Sequence, residues 1–168
     1  MAGMNVRQAP IDYIERTRAQ YDALGFPPYA WIDQKDEPPP FKPISKPLSE
    51  MRVALIASGG IYQRGQIAFH HRDDTSFRII DTTEPSETLR TSHFAYDMTA
   101  ARQNINAVFP VDTLRTLVAR SEVGQLARRA YTFMGGIYSA RKVRDLLAPA
   151  LSNALHDDEV DLAILVPA

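Results

Sequence analysis

Two stretches of almost unbroken apolar residues limit what this chain can fold into. One is "RVALIA" at residues 52–57, followed at once by "SGG". The other is "VDLAILV" at 160–166, interrupted only by Asp161. A half-exposed strand alternates apolar and polar side chains, because successive residues point to opposite faces. A strand that is apolar almost throughout must be covered on both faces, which calls for a layered α/β domain with a mainly parallel sheet. The segments between them fit that pattern. "SFRIIDT" (76–82) reads as a strand, and "YTFMGGI" (131–137) as a strand running into a loop. "PVDTLRTLVARS" (110–121) is helical, with Leu114, Leu117 and Val118 on one face and Asp112 placed to cap it. "EVGQLARRA" (122–130) reads as a second short helix. In "SARKVRDLLAPALSNALHDD" (139–158), the apolar residues from Val143 to Leu155 recur at helical spacing, and Ser139 is the cap. Pro149 must kink that helix or begin another. The sum predicts a Rossmann-like α/β domain over residues 51–168, a mainly parallel sheet flanked by helices.

Residues 1–50 have a different character. Most of the 12 prolines lie there. "IDYIERTRAQYDAL" places Ile11, Ile14, Tyr21 and Leu24 at the spacing of a short amphipathic helix that stops at Gly25. The proline stretch beyond it should be extended and irregular. Its aromatics Phe26, Tyr29, Trp31 and Phe41 predict an arm that wraps along the domain, with a flexible tail as the alternative.

Composition excludes several function classes. With 168 residues, 45% of them hydrophobic, the chain can build one ordinary core. Nineteen basic residues against 20 acidic ones leave a formal charge of −1, so there is no basic excess to hold nucleic acid or a membrane surface. No apolar segment reaches the roughly 20 residues of a bilayer span. The first 20 residues lack the apolar core of a secretory signal, so a cytoplasmic location is expected. There is no cysteine, which excludes disulfides, thiolate zinc sites and a cysteine nucleophile within these residues.

Four constellations can carry chemistry. Ser58, Gly59 and Gly60 end the first strand, where open α/β sheets bind ligands and where glycine lets backbone N–H groups approach an anion. A tight turn with a structural Gly pair is the plainer reading of the same residues. Gly135 and Gly136 form a second strand-end pair, able to build the other side of a cleft or an ordinary turn. His93 and Asp97 are four apart, which on a helix stacks the carboxylate on the imidazole and orients it for proton transfer; a surface turn is the alternative. Adjacent His70 and His71, with Asp73 and Asp74, point in different directions and read as a solvated loop; no metal motif is legible.

The stretches "SGGIYQRG", "DDTSFRII", "TSHFAYDMTAARQNINAVFPVDTLR", "VGQLARRAYTFMGGI" and "VDLAILVPA" together resemble the selenoprotein B subunit family of glycine, sarcosine, betaine and D-proline reductases. "IDYIERTRAQYDALGFPPYAW" and "KPLSEMRVALIASGG" are similar to the start of its bacterial branch. The resemblance implies reductive cleavage of a carbon–nitrogen bond in glycine, a glycine derivative or a proline-like amine. It implies other complex subunits and a thiol reductant as partners. On that reading the constellations above take the roles: His93, oriented by Asp97, is the catalytic candidate, and Ser58, Gly59, Gly60 and Gly135 are the substrate-binding ones. The resemblance also implies a selenocysteine or cysteine directly after "LVPA", on a loop at the mouth of the sheet where a helix start stabilises a chalcogen anion. No cofactor is expected within these residues. Selenocysteine is encoded by UGA, ordinarily a stop. The expectation is therefore an incomplete domain, the N-terminal part of a selenoprotein ended at an in-frame UGA, with a natural split subunit and an incomplete gene as alternatives. A non-catalytic module that binds a small ligand or a subunit is the competing class.

Overall fold

The computed structural model describes residues 12–168; Ile11, assigned above to the first helix, lies outside the described residues. The chain divides into two compact units, one ending at Phe41 and one spanning Lys42–Ala168. In the first, helix α1 (Tyr13–Ala23) begins where an Asp12 carboxylate oxygen accepts from the N–H groups of Ile14 and Glu15. It stops before Gly25, which takes a φ of +67° that a side chain would strain. The aromatics beyond it gather locally. Tyr21 meets Phe26 and Tyr29 edge-on at 5.8 and 5.6 Å, and Tyr29 lies 4.5 Å from Trp31.

The second unit runs β1 (Arg52–Ala57), β2 (Ile61–Gln63), β3 (Phe77–Asp81), β4 (Leu89–Thr91), α2 (Thr99–Gln103), α3 (Val111–Ala119), β5 (Gln125–Leu126), β6 (Arg129–Phe133), α4 (Ala140–Lys142), α5 (Ala148–Asp157) and β7 (Leu162–Val166). β7 pairs parallel along β1, from Val53↔Leu162 to Ala57↔Val166. β5 and then β6 pair parallel along the opposite edge, from Arg52↔Gln125 to Ala57↔Thr132. The hydrogen bonds alternate accordingly: the carbonyls of Met51 and Val53 accept from Gln125 and Ala127, and that of Arg52 from Asp161. β3 joins β6 antiparallel, so the sheet is mixed, and β2 and β4 form a separate antiparallel pair. The class is α/β.

Both faces of β1 are covered, as its apolar run requires, whereas β7 pairs with β1 alone, is only partly buried and leaves Leu165 69% exposed. Leu55, Ala57, Ala130, Ile164 and Val166 pack against Ile105, Phe109, Val111 and Leu114. Ile56, Tyr131 and Ala163 pack against Leu147, Leu151, Ala154 and Leu155. Every residue from Val53 to Ala57 is 5% exposed or less. Burying each large side chain of this kind contributes about 1.5–3 kcal/mol. Asp161, the one polar residue of the closing run, caps the sheet at its lower end. Its carboxylate accepts from the Arg52 N–H at 2.8 Å and pairs with Lys46 at 2.7 Å.

Two local expectations are corrected, and a third holds with an added detail. Residues 122–130 are not a helix: they carry β5 and the entry to β6. The cause is tertiary. A Cβ on Gly124 would lie 2.8 Å from the carbonyl oxygens of both Ser49 and Met51, so the glycine lets this segment lie against the start of β1 while Val123 and Ala127 enter the core. Asp112 does not cap α3. The Asn106 side-chain oxygen accepts from the Asp112 N–H instead, and the Asp112 carboxylate ties Ser86, Asn106 and Arg115 together. The helix at 139–158 starts at its expected Ser139 cap but passes through a π-helical stretch, Val143–Leu147, before α5, whose first turn holds Pro149. A wider turn just ahead of Pro149 makes room for its ring and for the carbonyl left without the N–H that proline lacks.

Near the opposite end of the sheet from the Gly loops, Asp158 accepts from Arg129 and from the Tyr131 hydroxyl, fastening α5 to β6. Burial alone would raise its carboxyl. The hydrogen bonds from Arg129 and Tyr131, with the charges of Arg129 and Arg52, outweigh that and hold it below the usual carboxylate range. A carboxyl lowered in the fold stabilises it above the unfolded pKa of about 3.9, and the contribution is lost as pH falls through the lowered value. Asp158→Asn is therefore expected to reduce stability at pH 7 by about 1–3 kcal/mol. The gap to wild type should narrow below about pH 4 in urea midpoints; a gap that widens there would contradict the assignment. Gly124→Ala should cost about 1–3 kcal/mol in the same measurement by crowding β1.

Candidate functional site

Because β6 and β7 flank β1 in nearly the same register, their carboxyl ends stop at one level and three loops meet there. The Ser58 N–H donates to the Val166 carbonyl at 3.1 Å, and the Gly135 N–H to the Ser58 carbonyl at 2.8 Å. The Ala168 N–H donates to Ser58 Oγ at 3.0 Å. The Gly60 N–H donates to the Phe133 carbonyl at 3.0 Å, and Gly59 faces Met134 across an isolated antiparallel bridge. Ser58, Gly59, Gly60 and Gly135 thus stand together, with Ala168 beside them. The amides of Ser58 and Gly60 are engaged within the protein, so the loop is not an open cradle for an anion. Gly60 has a structural need as well. Its φ is +64°, and a Cβ would meet the Ser92 carbonyl oxygen at 2.0 Å.

The segment after β4 lies across these glycines. Thr91 Oγ1 and the Tyr96 hydroxyl both donate to the Gly59 carbonyl, at 2.8 and 3.0 Å, and are themselves 2.8 Å apart. A Cβ on Gly59 would lie 3.3 Å from the Tyr96 hydroxyl and 3.4 Å from the Ala168 Cβ, which sets Tyr96 and Ala168 on the same spot. Phe94 lies over Gly136, where a Cβ would come within 2.2 Å of its ring. The sequence reading did not single out Thr91, Phe94 or Tyr96. The available signal is "HFAY", a dense aromatic cluster in a segment otherwise rich in polar and small residues.

His93 is buried, 4% exposed. Its ring stacks on Phe94 with centroids 5.5 Å apart and planes 12° off parallel, and lies 4.8 Å from Tyr96. The Ala95 N–H donates to its Nδ1 at 3.0 Å. A backbone N–H can only donate, so Nδ1 holds the lone pair and the proton of the neutral ring sits on Nε2. Nε2 is buried and has no partner among the described residues. A donor left this way costs about 1–3 kcal/mol. Burial, and then the neighbouring His71, hold the imidazole below its usual pKa.

The expected His93–Asp97 pair does not form. Residues 93–97 are a loop rather than a helix turn, so the four-residue spacing does not stack them. The Asp97 carboxylate instead accepts from the N–H and hydroxyl of Thr99 at the start of α2, and these bonds hold its pKa low. In the loop after β2, Asp73 accepts from the N–H groups of Tyr138 and Ser139, and Asp74 from His70 and Ser76. Among the described residues no three His, Asp or Glu side chains converge as a metal site.

Two hollows lie near the strands. One, about 290 Å³, is an apolar depression between Ile56, Ser58, Phe133, Leu165, Val166 and Pro167. It adjoins the Gly loops. The other, about 650 Å³, is a polar cleft reaching Arg90, Arg102 and Asn104, and it contains none of the residues singled out as site candidates from sequence. Of the sequence candidates only Ser58 lines the smaller hollow, while Thr91, from the segment that lies across the glycines, lines the polar cleft.

The family of glycine/sarcosine/betaine reductase selenoprotein B proteins matches residues 26–168. D-proline reductase subunit gamma of Acetoanaerobium sticklandii is 31% identical over 128 residues, 76% of this chain and 53% of that protein. Glycine reductase complex component B subunit gamma is 32% identical in Symbiobacterium thermophilum and 31% in Carboxydothermus hydrogenoformans, over 77% of this chain and 31% of each relative. The chain spans about half the length of the first relative and about a third of the other two. No solved structure matches it. No helix among the described residues is long and apolar enough to cross a membrane. A match that takes in both Gly loops, the His93 segment and β7 makes this chain a member of the glycine/sarcosine/betaine reductase selenoprotein B family.

Proposed function

We propose that this chain forms the substrate-side half of a selenol- or thiol-dependent reductase subunit. Its complex cleaves the carbon–nitrogen bond of glycine, a glycine derivative or a proline-like amine. The observation that carries this reading is the position of Ala168. The end of β7 is tied to Ser58 Oγ and sits against Gly59 and Tyr96, inside the cluster of candidate residues. A selenocysteine or cysteine following Ala168 would supply the nucleophile and be restored by a thiol partner. The residues present suit that group: Ser58 fixes the direction in which the chain leaves the sheet, and the Tyr96 hydroxyl lies beside the exit. The Ser58–Gly60 and Gly135 loops form the wall of the cleft, and His93 is the group that meets the substrate. The partial coverage of the relatives supports a continuation, carried in the same chain or in a second subunit, that completes a Rossmann-like domain in the cytoplasm.

A non-catalytic ligand- or subunit-binding module is the second reading. The nucleotides after the Ala168 codon separate the two. An in-frame UGA or a cysteine codon is expected; an ordinary stop leaves only the form of the reading in which a second subunit carries the continuation, and a codon for any other residue removes the reductase reading. In accord with it, residues 1–168 alone should show no thiol-dependent reduction of any of these amines. Joined to the continuation and the complex partners, they should release the cleaved amine product.

A further inference from the structure

We propose that His93 acts as a neutral hydrogen-bond donor to an oxygen acceptor of the ligand, a carboxylate or carbonyl oxygen, and that the Phe94 ring is the movable cover of that donor. The proposal rests on the reading above for the place of the ligand and not for the reaction.

The tautomer carries the first step. With the Ala95 N–H on Nδ1, the ring presents only an N–H at Nε2. Adding a second proton means breaking that backbone hydrogen bond and charging a ring that is 4% exposed. The lowered pKa agrees with this. A neutral imidazole N–H is a poor acid, so the ring orients a ligand rather than protonating it. Its partner must also offer a lone pair. An ammonium group has only N–H donors and cannot fill that role, whereas a carboxylate oxygen can. An amino acid bound here therefore turns its carboxylate to His93. Its ammonium lies elsewhere, with the faces of Phe94, Tyr96 and Tyr138 close at hand.

The cover carries the second step. Nε2 has no solvent access and no protein partner among the described residues. The group stacked on the ring is Phe94, itself 40% exposed. Phe94 is seated by Gly136 and flanked by His71 at 5.9 Å and Tyr138 at 6.5 Å, so its surroundings are side chains and a glycine rather than a closed core. His71, which approaches Ser92 Oγ at 3.2 Å, is the titratable side chain whose charge acts on His93, and the Tyr96 hydroxyl is occupied by Thr91 and Gly59. Rotation of Phe94 about its own side-chain bonds would bare the imidazole face and open a way round it to the ring edge that carries Nε2, without disturbing the sheet.

The chain has four histidines, so nitrogen-15 NMR of the imidazoles in residues 1–168 can isolate His93 by comparison with His93→Gln. The expected pattern at pH 7 is the Nε2–H tautomer, persisting below the ordinary imidazole pKa of about 6.5. An Nδ1–H tautomer, or protonation at or above about 6.5, overturns the neutral-donor role. Acetate should shift the His93 Nε2 resonance and methylammonium should not. An equal response to both, or none to acetate in wild type and in Phe94→Ala, overturns the ligand class. Removing the cover should strengthen the acetate response about threefold or more, because the competent state no longer needs the ring to move. Phe94→Leu serves if the alanine variant does not fold, and an unchanged acetate response in the folded variant overturns the cover. None of these readouts involves reduction. An intact acetate response with no reductase activity in the assembled complex defeats only the reaction; the reverse defeats only this proposal.

Discussion

Strand β1 is the constraint on which everything else in the α/β unit depends. It has a strand along each edge and a helical layer on each face, and none of Val53–Ala57 is more than 5% exposed. Slipping either neighbour by one residue would turn its apolar set to the wrong face, so the register is strongly specified. That register aligns Ala57 with Val166 on one side and with Thr132 on the other. The level at which Ser58, Met134 and Pro167 leave the sheet follows from it. The convergence of three loops is thus a consequence of core packing, settled before any side chain of the site is chosen.

The parts legible in the sequence are those whose cause is local. β1 shows as a continuous apolar run because it is covered on both faces; β7 reads the same way in sequence, yet its Leu165 stays exposed. α3 shows through Leu114, Leu117 and Val118, and α1 through its Gly25 stop. The parts that were not legible have causes distant in the chain. "EVGQLARRA" holds good helix formers, yet Gly124 fits against the backbone of Ser49 and Met51, some 70 residues earlier, and the segment becomes an edge of β1. β2 and β4 pair across a separation that no short window contains. The same holds for the site. The Gly pairs were visible as turns, but spacing alone placed His93 and Asp97 on a helix. The loop that replaces it sends Asp97 to Thr99 and buries His93 beneath Phe94.

Glycine serves this site by yielding space more than by offering amides. At Gly60 the yielded space is taken by the Ser92 carbonyl, and at Gly136 by the Phe94 ring. Both occupants belong to residues 92–94, so the two strand-end turns receive the same segment. The amides of Ser58 and Gly60, which an anion-binding loop would present to its ligand, bond to Val166 and Phe133 instead. These two amides are thus spent on holding the loops together, and side chains carry polar groups into the cluster.

Among those side chains His93 is the one held against its own preference. Leaving a buried donor unpaired costs about 1–3 kcal/mol, and such a group persists only where the surroundings over-determine it. Here they do. The Ala95 N–H fixes one nitrogen, Gly60 lets the Ser92 carbonyl settle close and set the course of the chain, and the carbonyl of Gly59 anchors Tyr96 on the far side. The same burial that leaves Nε2 without a partner also keeps the ring uncharged. A histidine in water near neutral pH would divide its time between acid and donor; this one is confined to a single role by the packing that depends on β1.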